Sequence, residues 1–145
     1  MKITAKSTKS QLLNSKMIEK IIKTSKNVAI IGISKNKDKP SYFVSKYLKD
    51  AGFNIYLINP KYFGEKILGK TVYKDLLDIG DNIDIVTVFI SPEKTFDVLK
   101  NIGDKKPVIW FQPGTSFEST VDYLLKNNFN VVLERCMMSE YQKFL

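Results

Sequence analysis

The sequence contains no histidine, so it lacks the side chain that most often serves as a general base, a phosphate carrier or a metal ligand. It contains one cysteine, Cys136, which excludes an internal disulfide and any site with several cysteine ligands. It contains one arginine, Arg135, whereas proteins that read base sequence depend on arginine. No apolar run approaches the length of a membrane-spanning helix, and the N-terminus lacks the apolar core of a signal peptide. We therefore expect a cytoplasmic protein with no membrane and no nucleic-acid partner.

The charge is unevenly distributed along the chain of 145 residues. Residues 1–26 hold seven lysines against Glu19, so most of the net charge of +8 lies in the first fifth of the sequence. Such a run is usually a solvated, solubilising segment, and a weak contact with a polyanion is the alternative. The same region has apolar residues at helical spacing: Leu12, Leu13, Met17, Ile18, Ile21 and Ile22. We predict a lysine-rich leader with an N-terminal helix over 1–26, followed by one domain over 27–145.

Five short apolar runs from residue 27 onward predict five buried β-strands. They span 28–33, 53–58, 83–90, 108–111 and 129–133. Amphipathic segments that end at Gly52, at Gly103 and at the Asn127-Asn128 pair predict helices between strands. This alternation predicts an α/β fold, a Rossmann-like doubly wound open parallel sheet with helices on both faces. We predict the strand order 3-2-1-4-5, with a ligand site at the carboxyl ends of the strands beside strand 1.

The loop after the first strand, from Gly32 to Ser41, has the features of a phosphate site. Pro40 is suited to the first turn of a helix, and the N–H groups of the next three residues would face the strand ends. Hydroxyls come from Ser34 and Ser41, and positive charge comes from Lys35, Lys37 and Lys39. A plain solvated turn between a strand and a helix is the alternative interpretation.

The same loop departs from a nicotinamide-dinucleotide site in two ways. After Gly32 the next glycine is Gly52, so the G-x-G-x-x-G spacing is missing. The acidic residue expected at the end of the second strand is also missing, and Asn59, Pro60 and Lys61 stand there instead. An amide and an ammonium group suit a phosphorylated nucleotide, although Asn59-Pro60 is equally typical of a simple strand-ending turn.

The order of these segments resembles that of the small stand-alone CoA-binding-domain proteins, whose fold is similar to the nucleotide-binding domain of the succinyl-CoA synthetase α subunit. The matching segments are 28–34, 40–42 with 47–48, 59–61, 64–65 with 67–69, 83–86 with 88–89, 109–112 with 114, and 134–136. They follow one another in the right order and spacing from residue 27 to residue 138. The resemblance implies a protein that binds coenzyme A or an acyl-CoA and has no catalytic activity of its own.

The resemblance also implies roles for particular residues. The Gly32–Ser41 loop would meet the CoA phosphates, with Asn59 and Lys61 near the phosphorylated adenosine. Ser91-Pro92 would line the adenine slot, and Gln112 to Gly114 would border the pantetheine arm. Lys39 and Ile90 stand where the family often has arginine, so we expect weaker phosphate contacts or a different pose. The expected cofactor-binding residues are Gly32, Ser34, Lys35, Lys39, Pro40, Ser41, Asn59, Lys61, Ser91, Pro92, Gln112, Gly114 and Cys136, with no catalytic residue and no metal ligand.

Cys136 follows the fifth predicted strand and is therefore expected at the same edge of the sheet. One hypothesis is a mixed disulfide with the thiol of bound CoA, with the neighbouring Arg135 favouring the thiolate. The alternative is a small, half-buried apolar residue, which is the usual role of a free cysteine.

Two other functions remain open from the sequence. A small NAD(P)-dependent oxidoreductase would need a Tyr-x-x-x-Lys pair after the fourth strand, and Tyr123 to Lys126 places the lysine one position short. An interaction subunit that binds no nucleotide would dock a partner protein through the leading helix and its lysines.

Overall fold

The computed structural model describes residues 12–100, 102 and 105–145. Within them the β-strands are β1 (Asn27–Ile31), β2 (Asn54–Ile58), β3 (Lys66–Ile67), β4 (Lys70–Thr71), β5 (Ile85–Val88), β6 (Val108–Phe111) and β7 (Val131–Val132). The α-helices are α1 (Ser15–Thr24), α2 (Pro40–Asp50), α3 (Thr95–Leu99), α4 (Glu118–Lys126) and α5 (Met137–Gln142). Short 3₁₀ turns cover Pro60–Tyr62, Leu76–Asp78 and Pro92–Lys94. No helix in this part of the chain is long and apolar enough to cross a membrane. Of the predicted leader, residues 1–11 lie outside the described residues.

Five of the strands form one all-parallel sheet in the order β2-β1-β5-β6-β7. The doubly wound α/β prediction is confirmed, but the predicted strand order 3-2-1-4-5 is wrong. Counted over the five predicted strands, the observed order is 2-1-3-4-5, because the third strand pairs with the first and not with the second. The outer edge of β2 is occupied by Tyr73, which donates its N–H to the Leu57 carbonyl at 2.8 Å and accepts from the Asn59 N–H at 3.0 Å. Tyr73 covers the carboxyl end of this edge, and β5 lies on the other side of β1, where it forms a parallel ladder with residues 28–31.

Strand β1 shows why the apolar runs are continuous. Val28 and Ile30 belong to one buried cluster, and Ala29 and Ile31 belong to another. Successive residues of a strand point to opposite faces of a sheet, so a strand that is covered on both faces needs apolar residues at every position. The first cluster takes in buried residues of α1, α2 and α5, and the second takes in buried residues of α3 and α4.

Helix α1 joins the chain before β1 to this core. The side-chain oxygen of Asn14 accepts the N–H of Met17 at 3.0 Å and so caps the start of the helix. Ile18 and Ile22 are the buried positions of the predicted apolar stripe. The Leu13 N–H donates to the Val131 carbonyl at 3.0 Å, which brings the chain along the outer edge of β7.

The direction of two connections locates the crevice of the sheet. After β1 the chain enters α2 on one face, and after β5 it enters α3 on the opposite face. The two connections therefore diverge at the carboxyl ends of two neighbouring strands, which is where open α/β sheets bind their ligands.

Candidate functional site

Gly32 is the first residue beyond β1, at the floor of this crevice. Its φ is +93°, and a Cβ placed there would lie 2.8 Å from Cγ2 of Ile90 and 3.1 Å from the carbonyl carbon of Phe89. Its N–H donates to the Ile58 carbonyl at 2.9 Å. Only glycine combines this backbone conformation with so close an approach to the neighbouring strand.

The loop that follows is ordered by its own side chains. Ser34 Oγ accepts the N–H of Asn36 at 3.0 Å, and Asn36 Oδ1 accepts the N–H of Asp38 at 2.9 Å. The N–H of Lys39 then donates to the Asn36 carbonyl at 3.0 Å. Such short polar turns hold a loop without a hydrophobic anchor, so the lysines of the loop project from a defined backbone.

The N-terminus of α2 differs from the expectation of three free N–H groups. Pro40 occupies the first turn as predicted, but Tyr42 and Phe43 both donate to the carbonyl of the capping residue Lys39, at 3.0 and 3.2 Å. The Ser41 N–H has no backbone acceptor among the described residues. Ser41 as a residue is 5% exposed, and its hydroxyl has no hydrogen-bond partner in that same part of the chain. The start of α2 therefore presents one N–H and one hydroxyl to an incoming acceptor, at the positive end of the helix dipole.

Two clefts open at this edge of the sheet, one on each face. The larger one, which we call the α2 cleft, has a volume of about 460 Å³, and its lining includes Gly32, Lys39, Ser41, Phe89, Gln112 and Cys136. The smaller one, which we call the β2 cleft, has a volume of about 230 Å³, and its lining includes Gly32, Ile58, Asn59, Lys74, Asp75 and Ile90. Gly32 belongs to both clefts, so a ligand that crosses this glycine would reach from one face of the sheet to the other.

A buried polar pair and a carboxylate hold the far wall of the α2 cleft. Gln112, which is 3% exposed, donates from Nε2 to Oγ1 of the buried Thr87 at 2.7 Å. Glu134 accepts the Gly114 N–H at 2.7 Å, the Ser116 N–H at 3.0 Å and the Ser116 hydroxyl at 2.6 Å. Burial alone would raise the pKa of Glu134, but these hydrogen bonds outweigh it and hold the pKa below its ordinary value.

Asn59 has a structural role at the end of β2. Its Nδ2 donates to the Ile33 carbonyl at 2.8 Å, and its Oδ1 accepts the Lys61 N–H at 3.0 Å. The amide therefore ties the loop after β1 to the turn after β2. Both of its polar atoms are engaged, although the residue still lines the β2 cleft.

Two of the expected phosphate-binding lysines face an aromatic ring instead. The Lys61 ammonium lies 5.4 Å from the ring centroid of Tyr62, and the Lys35 ammonium lies 5.1 Å from the same centroid. Lys35 also forms an ion pair with Glu65. Neither lysine lines the α2 or the β2 cleft.

Cys136 and Arg135 point to different places. Cys136 is half-buried and lines the α2 cleft. The Arg135 guanidinium instead pairs with Glu140 at 3.2 Å and bonds to the Ser15 hydroxyl at 3.3 Å. The arginine thus ties α5 to the start of α1. No group of three cysteine, aspartate or glutamate side chains in the described ranges comes together as a metal site.

A family model for the CoA binding domain matches residues 26–142. The chain belongs to the CoA binding domain family. The resemblance inferred from the sequence is thereby confirmed.

Relatives of this CoA binding domain occur both as small proteins and within larger ones. The uncharacterized protein YneT of Bacillus subtilis is 32% identical over 121 residues, which are 83% of this chain and 88% of YneT. The ADP-forming acetate–CoA ligase of Methanocaldococcus jannaschii is 36% identical over 118 residues, 80% of this chain but only 16% of the ligase. The chain therefore corresponds to one small part of the ligase.

Solved structures share the architecture of this CoA binding domain over most of its length. A Thermus thermophilus protein matches with a TM-score of 0.87 at 27% identity, covering 92% of this chain and 100% of that one. A hypothetical protein from Pyrococcus horikoshii matches with a TM-score of 0.82 at 32% identity, covering 90% and 92%. These matches agree with the Rossmann-like fold described above.

The structure of the CoA binding domain gathers most of the predicted site residues but not all of them. The clefts are lined by Gly32, Ser34, Lys39, Pro40, Ser41, Asn59, Gln112 and Cys136. The clefts do not include Lys35, Lys61, Ser91, Pro92 or Gly114. Gly114 still belongs to the loop that Glu134 holds. The roles of all these residues stay predictions.

Several residues that line the clefts are absent from the expected cofactor-binding residues. Phe89 and Ile90 directly follow the buried strand β5, the place at which the sequence predicted a ligand site, and Ile90 was compared there with the arginine of the family. Lys74 and Asp75 had no such signal, because they reach the β2 cleft only through the pairing of Tyr73 with the edge of β2.

Proposed function

We propose that this protein binds coenzyme A across the carboxyl edge of its sheet and catalyses no reaction of its own. The observation that carries the proposal is the pair of clefts that share Gly32. Coenzyme A has a nucleotide at one end, a diphosphate in the middle and a long pantetheine arm at the other. A ligand of this shape needs two separate pockets joined over a surface that has no side chain.

The diphosphate is assigned to the start of α2. Three donors meet there: the unused N–H of Ser41, its buried hydroxyl, and the ammonium group of Lys39. A helix N-terminus stabilises anions. Ser34 adds a second hydroxyl. Its oxygen accepts the N–H of Asn36, and its O–H proton has no acceptor among the described residues. Gly32 lets the ligand backbone pass close to the loop.

The two halves of the ligand are assigned by the chemistry of the walls. The β2 cleft has aliphatic walls that include Ile58 and Ile90, and these suit the flat adenine ring. The α2 cleft leads from Ser41 to Gln112 and Cys136, and this longer path suits the pantetheine arm.

The lining of the α2 cleft supports binding without catalysis. It contains no aspartate, glutamate or tyrosine among the described residues, and the whole sequence has no histidine. Acid–base catalysis needs a titratable group within hydrogen-bond reach of the reacting atoms. The lining titratable groups are the Lys39 ammonium, assigned to phosphate, and the Cys136 thiol.

One observation favours a second candidate, an adenine dinucleotide. Asp75 in the β2 cleft places a carboxylate near the end of β2, where the sequence alone shows none. A carboxylate at this place binds the ribose hydroxyls of NAD in other doubly wound folds.

Isothermal titration calorimetry with CoA and with NAD separates the two candidates. We expect CoA to bind and NAD to bind more weakly, and Lys39→Met to weaken CoA binding roughly tenfold through the loss of a charge-assisted contact. Lys37→Met is the matched control, because Lys37 lies in the same exposed loop but lines neither cleft. NAD affinity equal to or above that of CoA would overturn the proposal, as would equal losses in the two variants.

A further inference from the structure

Lys74 reaches the carboxyl edge of the sheet through a contact between distant parts of the chain. The preceding residue, Tyr73, forms a parallel bridge with Ile58 and so adds one residue to the sheet alongside the outer edge of β2. The following residue, Asp75, accepts the Leu77 N–H at 3.2 Å and starts the 3₁₀ turn. The backbone is therefore held on both sides of Lys74, and its side chain lines the β2 cleft.

The ammonium group of Lys74 is available to a ligand. Within residues 12–100, 102 and 105–145, no carboxylate lies within ion-pair distance of it. The lining includes two carboxylates, those of Asp75 and Asp97. Asp75 uses one oxygen to cap the turn, and Asp97 pairs with Lys100 at 3.3 Å.

Two other lysines near this end of the sheet have partners of their own. Lys61 lies over the ring of Tyr62, and Lys35 is paired with Glu65. Neither lines the β2 cleft, so Lys74 supplies the positive charge of that lining.

We propose that Lys74 is the specificity residue that distinguishes a 3′-phosphorylated adenosine from an unphosphorylated one in the β2 cleft. This inference rests on the proposed function, since it assumes that the adenosine end of CoA occupies this cleft. A phosphate monoester and an ammonium group form a strong charge-assisted contact. Without the lysine, the charged side chains that line the cleft are carboxylates, which repel a phosphate.

Calorimetric affinities for CoA and 3′-dephospho-CoA test the inference directly. In the unaltered protein CoA should bind about tenfold more tightly than dephospho-CoA, the value of one charge-assisted contact near the surface. Lys74→Met keeps most of the aliphatic stem and should remove this preference or invert it. Its affinity for dephospho-CoA should stay within about twofold of the original, as is usual for a surface substitution.

One competing variant and one control variant separate Lys74 from its neighbours. Lys61→Met tests the competing lysine, which the resemblance implied near the phosphorylated adenosine, and Lys70→Met is the control, since it removes an exposed lysine four residues away that lines neither cleft. Both should keep the preference for CoA, and thermal melting should show all three variants folded.

Three results would overturn the inference while CoA binding itself stands. They are an equal affinity of the unaltered protein for the two ligands, equal losses for both ligands in Lys74→Met, and loss of the preference in Lys61→Met instead. Failure of the unaltered protein to bind either ligand would overturn the proposed function together with the inference.

Discussion

Replacing Ser41 by alanine separates a binding role from a structural role at the start of α2. Ser41 is a buried residue, at 5% exposure, and its hydroxyl has no hydrogen-bond partner among the described residues. A buried polar group without a partner costs about 1–3 kcal/mol, so its removal should not destabilise the ligand-free protein. We expect Ser41→Ala to raise the free energy of unfolding by up to about 1 kcal/mol, which corresponds to a Tm increase of about 2–4 °C for a chain of this size.

Binding should respond in the opposite direction. If the hydroxyl donates to a phosphate oxygen, its loss removes a hydrogen bond to a charged group, and CoA should bind about tenfold more weakly. Calorimetric titration gives the affinity, and thermal melting without ligand gives the Tm. A stabilised protein with weakened CoA binding is the signature of a group kept for its ligand.

Ser45 provides the matched control in the same helix. It is fully buried, its hydroxyl donates to the Ser41 carbonyl at 2.5 Å, and it lines neither cleft. Ser45→Ala should leave CoA affinity unchanged and should not raise the Tm. The reasoning is refuted if Ser41→Ala lowers the Tm by several degrees and binds CoA as tightly as the unaltered protein.

Two further predictions concern the far wall of the α2 cleft. The pKa of Glu134 in the folded state is below its ordinary value of 4.5. The ionised carboxylate therefore stabilises the folded protein at neutral pH. This contribution is lost as the pH falls below 4.5 and through the folded-state pKa. Glu134→Gln should therefore lower the free energy of unfolding at pH 7 by less than about 1 kcal/mol, because Glu134 is exposed and solvent screens its charge. This difference should shrink in melts below pH 4, and a difference that does not change with pH would contradict the reasoning. Saturating CoA should slow the alkylation of Cys136 by iodoacetamide severalfold, because the thiol lines the cleft assigned to the pantetheine arm. Mass spectrometry counts the adduct directly, since the chain has one cysteine, and an unchanged rate would move the arm elsewhere.

The sequence by itself determined the class of fold and the place of one half of the candidate site. Continuous apolar runs such as 28–31 predict strands buried on both faces, and helical segments between them imply a doubly wound parallel sheet. The position of the loop from Gly32 to Ser41 could also be predicted, because a residue that directly follows a strand must lie at the carboxyl end of that strand. These inferences hold because they depend on residues that are neighbours along the chain.

Only the tertiary structure decided the strand order and the charges of the β2 cleft. The apolar pattern of a strand shows how many of its faces are buried but not which strand lies beside it. Here Tyr73 hydrogen-bonds to Leu57 and Asn59 on the outer edge of β2, and β5 pairs with β1. The same contact brings Lys74 into the cleft, while Lys61, which follows β2 directly, lies over Tyr62. A lysine's partner depends on which distant side chains fold beside it, and the linear order of residues does not contain that information.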